Sequence, residues 1–464
     1  MPALHELSAA ELSDAYGRRD LSPVEVADAV LRRMELCEPK INAMYRVLAD
    51  AARQTARESE RRWKGDAPLS PIDGVPITIK ENLYTRGDPS PLGTAAGDLS
   101  PRPADSPAAA RVREAGCVIV GKTTMPDYGM LSSGLSSIHG VTRNPWRLDR
   151  NPSGSSSGAA AAAAAGYGPL HLGTDIGGSV RLPATHCGVF GLKPSLGRIP
   201  IDPPYMGRVA GPMTRTVRDS AMLMTVVTRP DARDWMSLPH QPVDYAAQLE
   251  GLSLKGLRIG LLTDIGCGLP VHPEVRAAVE SAAGVLAGAG AVVEPVAPFI
   301  TPAMLEGMCV FFEARSNLDL DGLPPEQRAK VLPYVVEWAT WRASGFTGRD
   351  VMAALTQVMG MREAAVRAVA RHDFVLSPTS PIPPYEAERH GPGDDPRNAL
   401  PHIAFTVAYN MSEQPAASVN WCSSADGLPI GVQLVGQRFD DLGVLRLARA
   451  VERLRPPQKP WPNP

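Results

Sequence analysis

Two serine-bearing glycine turns stand close together in this chain, and a lone lysine lies well upstream of both. The first turn reads Ser153-Gly154-Ser155-Ser156-Ser157-Gly158 and the second Asp175-Ile176-Gly177-Gly178-Ser179-Val180-Arg181, with an alanine run between them. Lys80 sits inside the apolar run from Gly74 to Leu83. Adjacent glycines let a backbone bend where a Cβ would clash, so the N–H groups of Ile176, Gly177, Gly178 and Ser179 can converge on one oxygen. A serine at such a bend becomes a nucleophile when a base takes its proton. An amine in apolar surroundings loses its charge more readily, and only the neutral amine accepts a proton. These are the parts of an acyl-transfer site with lysine in place of histidine.

Each residue also has a plainer reading. Ser179 in a glycine turn fits a cap for the segment that follows. Asp175 and Arg181 flank that turn and can brace it as an ion pair under either reading. Ser155 precedes seven alanines in what also reads as a capped helix start. The two views of Ser155 are compatible, because a helix N-terminus favours developing negative charge. A lysine at a strand end also snorkels to solvent. His186 lies near the turns in sequence but has no evident acidic partner, and reads as a core residue or one behind the site.

Two pattern matches point elsewhere. Gly116 to Thr123 fits the phosphate-loop pattern G-x-x-x-x-G-K-[ST], which would make this a nucleotide-binding protein. Its four intervening residues, Cys-Val-Ile-Val, read as a strand, and a strand cannot curl its N–H groups around a phosphate. Gly154 to Gly158 fits the nucleophile elbow G-x-S-x-G centred on Ser156. An elbow needs a strand before it, whereas residues 143–153 form a polar, proline-bearing loop.

The elements that must position these groups follow from periodicity and punctuation. Ser8-x-x-Glu11 and Ser22-Pro23-Val24-Glu25 look like capped helix starts within a helical first segment, residues 1–65. Residues 66–228 alternate short β-rich runs, such as Val75–Ile79, Cys117–Val120 and Pro169–Leu172, with helices, and read as the core that carries the turns. Residues 229–400 are less regular, with helical patterns near 273–290, 302–316, 326–342 and 349–371 and strands at Leu257–Leu262 and Phe374–Leu376. Residues 401–464 return to the core with strand-like Ala417–Val419 and Ile430–Val435 and a helix at Leu442–Leu454. With no repeat and no disordered linker, the expectation is α/β: one large domain, residues 1–464, with a mixed, mostly parallel central sheet between helical layers.

Of 464 residues, 44% are apolar and 21% charged, ordinary for a soluble enzyme. A net charge of −2 gives no reason to expect nucleic acid or an anionic membrane as a partner. Lysine numbers only eight, which draws attention to the one in an apolar run. Six scattered cysteines show no zinc spacing and suggest a reducing compartment, and the opening residues show no apolar leader, so a cytoplasmic location is expected.

Taken together, these segments resemble the amidase signature family. The likeness is carried by Gly74 to Asn82, Val120 to Pro126, Thr142 to Trp146, Pro152 to Gly166, Gly173 to Pro183, Cys187 to Pro194, Gly211 to Asp219, Asn410 to Ala416 and Gly427 to Gly436. It spans most of the chain except about 229–370. It implies a Ser-Ser-Lys triad with Ser179 as nucleophile, Ser155 as proton bridge on a cis peptide after glycine, and Lys80 as base. It implies an oxyanion hole from the N–H groups of Ile176 to Ser179, an acyl-enzyme intermediate, and no metal or other cofactor. The substrate would be a small-molecule amide, with the chain acting alone or as a homodimer. A relative within the same family, the glutamine-hydrolysing subunit of tRNA-dependent amidotransferases, is the alternative.

By the same analogy Gly129, Met130 and Leu131 line the acyl pocket and residues 300–345 form its outer wall. Tyr334, Trp338 and Trp341 share one helical face; if it faces the pocket rather than the core, a small, aryl or apolar acyl group is favoured. The chain departs from the common pattern at Ser153 and Ser157, where glycine is usual, at Ile176, at Glu81 for aspartate, and at Asn420 for proline.

Overall fold

The computed structural model describes residues 3–464. The N-terminal segment is helical as the caps require. Ser8 opens α1 (Ala9–Gly17) and Ser22 opens α2 (Pro23–Ile41), each in a reciprocal box with Glu11 or Glu25. α2 buries Ala27, Val30, Leu31 and Met34. A four-residue strand, β1 (Met44–Val47), then leads into α3 (Ala49–Lys64). The sequence reading missed β1, because one short strand at the sheet edge carries too little alternation to register.

Residues 66–228 supply β2 (Pro76–Lys80), α4 (Pro107–Glu114), β3 (Val118–Thr123) and a small ribbon of β4 (Leu135–Ser136) and β5 (Gly140–Val141). It continues with α5 (Ser157–Ala165), β6 (Leu170–Asp175), α6 (Arg181–Cys187), β7 (Phe190–Lys193), β8 (Val209–Thr214) and α7 (Val217–Val227). The less regular region, residues 229–400, contributes β9 (Arg258–Leu261), α8 (Pro273–Gly288), β10 (Val292–Pro295), α9 (Pro302–Asp321), α10 (Pro325–Arg328), α11 (Pro333–Thr340), α12 (Gly348–Val369) and β11 (Phe374–Pro378). The helical pattern read over 326–342 is two helices, since Pro333 starts a new one. α13 (Ala404–Met411), β12 (Ala416–Ser423), β13 (Pro429–Gly436) and α14 (Asp441–Leu454) complete the fold.

Eleven strands form one sheet in the order β1-β3-β2-β6-β8-β7-β12-β13-β11-β9-β10. The sheet is mixed, as expected. Its parallel pairs lie in two groups, β3-β2-β6 and β11-β9-β10, where helices carry the chain back across the sheet. The other six of ten pairings are antiparallel, more than the expected "mostly parallel" sheet contains. The short turn between β12 and β13 is one cause, because a connection of a few residues can only join antiparallel neighbours.

Helices cover both faces. Ile119, Phe374 and Leu376 pack on the layer of α1, α4, α7, α8 and α14, whereas their neighbours Val118, Val120 and Val375 face the other side. This is the period-two alternation of a sheet buried on both faces. α5 lies inside the second layer with all seven alanines fully buried. Only methyl side chains let a helix be enclosed on every side against so many backbones, and larger groups would force the layers apart. Gly166, at φ 87°, ends it in the left-handed conformation.

Candidate active site

Parallel pairing of β2 with β6 brings the ends of both strands together, with Ile79 opposite Leu172. Lys80 is the last residue of β2, Thr174 lies near the end of β6, and the first serine turn enters α5 beside them. Lys80 is fully buried, not snorkelling. Its Nζ lies 2.8 Å from Ser155 Oγ, 3.0 Å from Ser156 Oγ and 3.0 Å from Thr174 Oγ1. Three hydroxyls thus surround the amine, with no carboxylate in salt-bridge contact among the described residues. Burial holds its pKa well below the usual lysine value, and the positive charge of Arg208 pushes the same way.

The first turn has both properties weighed from the sequence. It starts α5, and it also carries Ser155 to Lys80. The Gly154-Ser155 peptide is cis. Ser153, where glycine is usual, holds φ 64°. Ser156 is enclosed: its Oγ donates to the Thr174 carbonyl at 3.1 Å and accepts from the Thr174 N–H at 3.2 Å. No strand precedes the turn, as an elbow would need.

The second turn hangs between β6 and α6, and a buried network fixes it. Arg181 donates to both Asp175 oxygens at 3.0 Å, and to Gln433 Oε1 at 2.8 Å, Asn410 Oδ1 at 2.6 Å and the Thr406 carbonyl at 3.0 Å. Asn410 Nδ2 donates to Asp175 Oδ1 at 2.8 Å. Burial alone would raise the Asp175 pKa, but Arg181 and Asn410 hold it well below the ordinary carboxylate range. Thr406 Oγ1 donates to the Gly177 carbonyl at 2.6 Å. Gly178 takes φ 127°, and a Cβ there would lie 2.5 Å from Thr406 Oγ1. The structure differs from the four-donor expectation at one point. The Gly178 N–H already donates to Asp175 Oδ1 at 2.7 Å, leaving the amides of Ile176, Gly177 and Ser179 free to face a substrate.

Ser179 is partly exposed, and two chambers meet at it. One, the apolar chamber, carries the side chains of Met130, Leu131, Phe312, Trp338, Leu400 and Ile403 and shares Arg315 and Asp319 with the other. The other, the polar chamber, is larger, about 340 against 90 Å³, and alone holds Asn82, Tyr84, Ser155, Thr174 and Arg208. Gly129 borders both, and Met130 and Leu131 border the apolar one, on the wall expected for the acyl pocket. Helix α9 supplies Phe312, Arg315 and Asp319, so the 300–345 segment does reach the site. The aromatic stripe divides: Trp338 lines the apolar chamber, Tyr334 stacks on His390 at 4.5 Å between ring centroids, and Trp341 is 40% exposed.

His186 is buried, with Nε2 3.3 Å from Ser380 Oγ, and burial lowers its pKa to about 4. It stands behind the site with no acid beside it. The segment with the phosphate-loop pattern is a strand, and Lys122 is buried with its Nζ donating to the Leu83 carbonyl, so no phosphate site exists there. Sequence reasoning missed Thr174, Asn410 and Gln433 as site residues although each lies in a segment that carries the family likeness. It also missed Arg208 and Arg315, for which the sequence offers no signal.

A family model described as Amidase matches residues 25–445. The chain belongs to the amidase family. It is a hydrolase of amide C–N bonds. This amidase is 36% identical over 481 residues to a glutamyl-tRNA(Gln) amidotransferase subunit of Symbiobacterium thermophilum, covering 97% of this chain and 96% of that protein. It is 33% identical over 466 residues to an acylamidase of Rhodococcus erythropolis, covering 98% and 96%. Among solved structures, a bacterial aryl acylamidase of the amidase signature family superposes with a TM-score of 0.89 at 30% identity over 98% of this chain and 97% of that one. The peptide amidase of Stenotrophomonas maltophilia superposes at 0.86 with 27% identity, over 99% and 98%.

Proposed function

We propose that this amidase hydrolyses a carboxylic amide with a small, apolar or aryl acyl group through an acyl-enzyme on Ser179. The observation that carries the reading is Lys80, a fully buried amine with three hydroxyl neighbours and, among the described residues, no carboxylate in salt-bridge contact. Ser179 Oγ attacks the carbonyl carbon and passes its proton to Ser155, whose own proton moves to neutral Lys80. The oxyanion accepts hydrogen bonds from the amides of Ile176, Gly177 and Ser179. On collapse, Ser155 gives its proton to the leaving nitrogen and recovers one from Lys80, so the amine departs neutral. Water then releases the acid by the same proton path. Trp338 and Phe312 in the apolar chamber favour an apolar or aryl acyl group. A cytoplasmic location belongs to the same proposal, since all six cysteines are unpaired.

The test is covalent labelling with a small sulfonyl fluoride and mapping of the modified peptide, in wild type and Lys80→Ala. An adduct on Ser179 that is lost or much slowed in the variant supports the scheme. An adduct on Ser156 that ignores Lys80 overturns it. The identity to the amidotransferase of Symbiobacterium thermophilum favours a second reading, glutamine hydrolysis within an assembly. A purified chain idle on simple amides, yet releasing ammonia from glutamine beside partner proteins, would select that reading.

A further inference from the structure

The two chambers are not equivalent with respect to the proton path. Ser155 lines only the polar chamber. An amide anion is a very poor leaving group, so the departing nitrogen must receive a proton as the C–N bond breaks. If Ser155 delivers it, the amine half of the substrate points into the polar chamber, and the acyl half occupies the apolar one.

The polar chamber holds the Arg208 guanidinium and shares that of Arg315 with the apolar chamber. Arg208 donates from Nη1 to the Pro203 carbonyl at 3.2 Å, and Arg315 lies over the Tyr205 ring at 4.2 Å. Among the described residues, neither has a carboxylate in salt-bridge contact. Burial lowers the Arg208 pKa, and the positive charge of Arg315 pushes the same way. Of the acids nearby, Asp175 is taken by Arg181, Asp319 is exposed, lines both chambers and feels the charge of Arg315 without a salt bridge, and Asp202 acts on Arg208 only at a distance. Two cations therefore face one unpaired carboxylate at the chamber. A partly desolvated guanidinium without a counter-ion is costly unless something else brings the anion, and Arg is the side chain best shaped to hold a carboxylate.

We infer that the polar chamber is a subsite for an amine bearing a carboxylate, held by Arg208 and Arg315, so that the preferred substrate joins an apolar or aryl acyl group to a carboxylate-bearing amine. This rests on the acyl-enzyme reading above, which fixes the direction in which the amine leaves. The larger volume of this chamber agrees with an amine that carries a substituent rather than with free ammonia.

The test compares phenylacetyl para-nitroanilide with its analogue carrying a carboxylate on the anilide ring. The wild type should prefer the carboxylate in kcat/KM by about 10- to 100-fold, the range of one charge-assisted hydrogen bond or two. Arg208→Gln and Arg315→Gln should each shrink that ratio, and Asp319→Asn, which removes the opposing charge, should enlarge it. Equal rates on both substrates, or a ratio indifferent to all three changes, would overturn the inference while leaving the Ser179 mechanism standing. If neither anilide is cleaved, protection of Ser179 from the sulfonyl fluoride supplies the readout. para-Aminobenzoate should slow labelling and aniline should not; equal protection counts against the subsite. Failure of Ser179 to label at all would instead defeat the mechanism.

Discussion

Arg181→Met isolates the interaction that holds the second serine turn. The change removes both bonds to Asp175 and leaves that carboxylate buried, with Asn410 and backbone amides as its remaining donors. Breaking a buried ion pair from one side costs about 3–5 kcal/mol. Unfolding entropy near 2.1 cal/mol/K per residue gives roughly 1 kcal/mol/K for 464 residues, so the melting midpoint should fall by about 3–5 °C at neutral pH. The pH dependence has a definite sign. In the wild type the Asp175 pKa is depressed, so its contribution is full above the unfolded pKa and is lost only as pH falls through the lower folded value. In the variant the lone buried carboxylate has a raised pKa. The folded variant therefore takes up a proton before the unfolded chain does, and gains stability relative to the wild type as pH drops. Thermal melts followed by circular dichroism at pH 8 and pH 5 should show the gap between the two proteins narrowing at the lower pH. Asp175→Asn combined with Arg181→Met should melt above the single variant, because no unpaired charge is left. A gap that does not narrow, or a double variant no better than the single, would refute the account.

Three further outcomes follow from the same geometry. Gly178→Ala should cost about 1–3 kcal/mol and suppress turnover, because alanine must take φ 127° with its Cβ against Thr406 and Leu182; melting and burst titration of the active serine measure the two effects. Activity should rise with pH through the depressed Lys80 pKa. Arg208→Gln should move that limb to higher pH, since a neighbour that disfavours the ammonium is removed while Asp175 and Glu81, which favour it, remain; a pH–kcat/KM profile on a neutral amide reads the shift. Trp338→Ala should lower kcat/KM for a phenylacetyl amide relative to an acetyl amide by about 10- to 100-fold, and an unchanged ratio would place the acyl group elsewhere.

The strands and capped helices of the core were legible because each carries its own local evidence. Ser8 and Ser22 announce helix starts, and Val75–Ile79 and Cys117–Val120 are short β-branched runs between glycines. Lys80 was conspicuous for a similar reason, as a charge at the end of such a run. What stayed hidden depends on distant pairing. β1 and β10 are edge strands of four residues, and an edge strand need not be apolar on both faces. Asn410 and Gln433 lie more than two hundred residues after Asp175; α13 brings Asn410 to Asp175, and the sheet order that runs from β6 to β12 and β13 brings Gln433 to Arg181. Arg208 and Arg315 are the extreme case. In sequence they are two arginines among many, and Asp319, four residues after Arg315, suggests an ordinary helix ion pair that the structure does not form. Their meaning comes from the chambers they line and from which side of Ser179 the proton arrives. A motif encodes the chemistry common to a family because that chemistry needs fixed atoms at fixed spacing. Substrate choice needs only a charge at the correct distance, which any element of the fold can supply, so it must be read from the assembled walls.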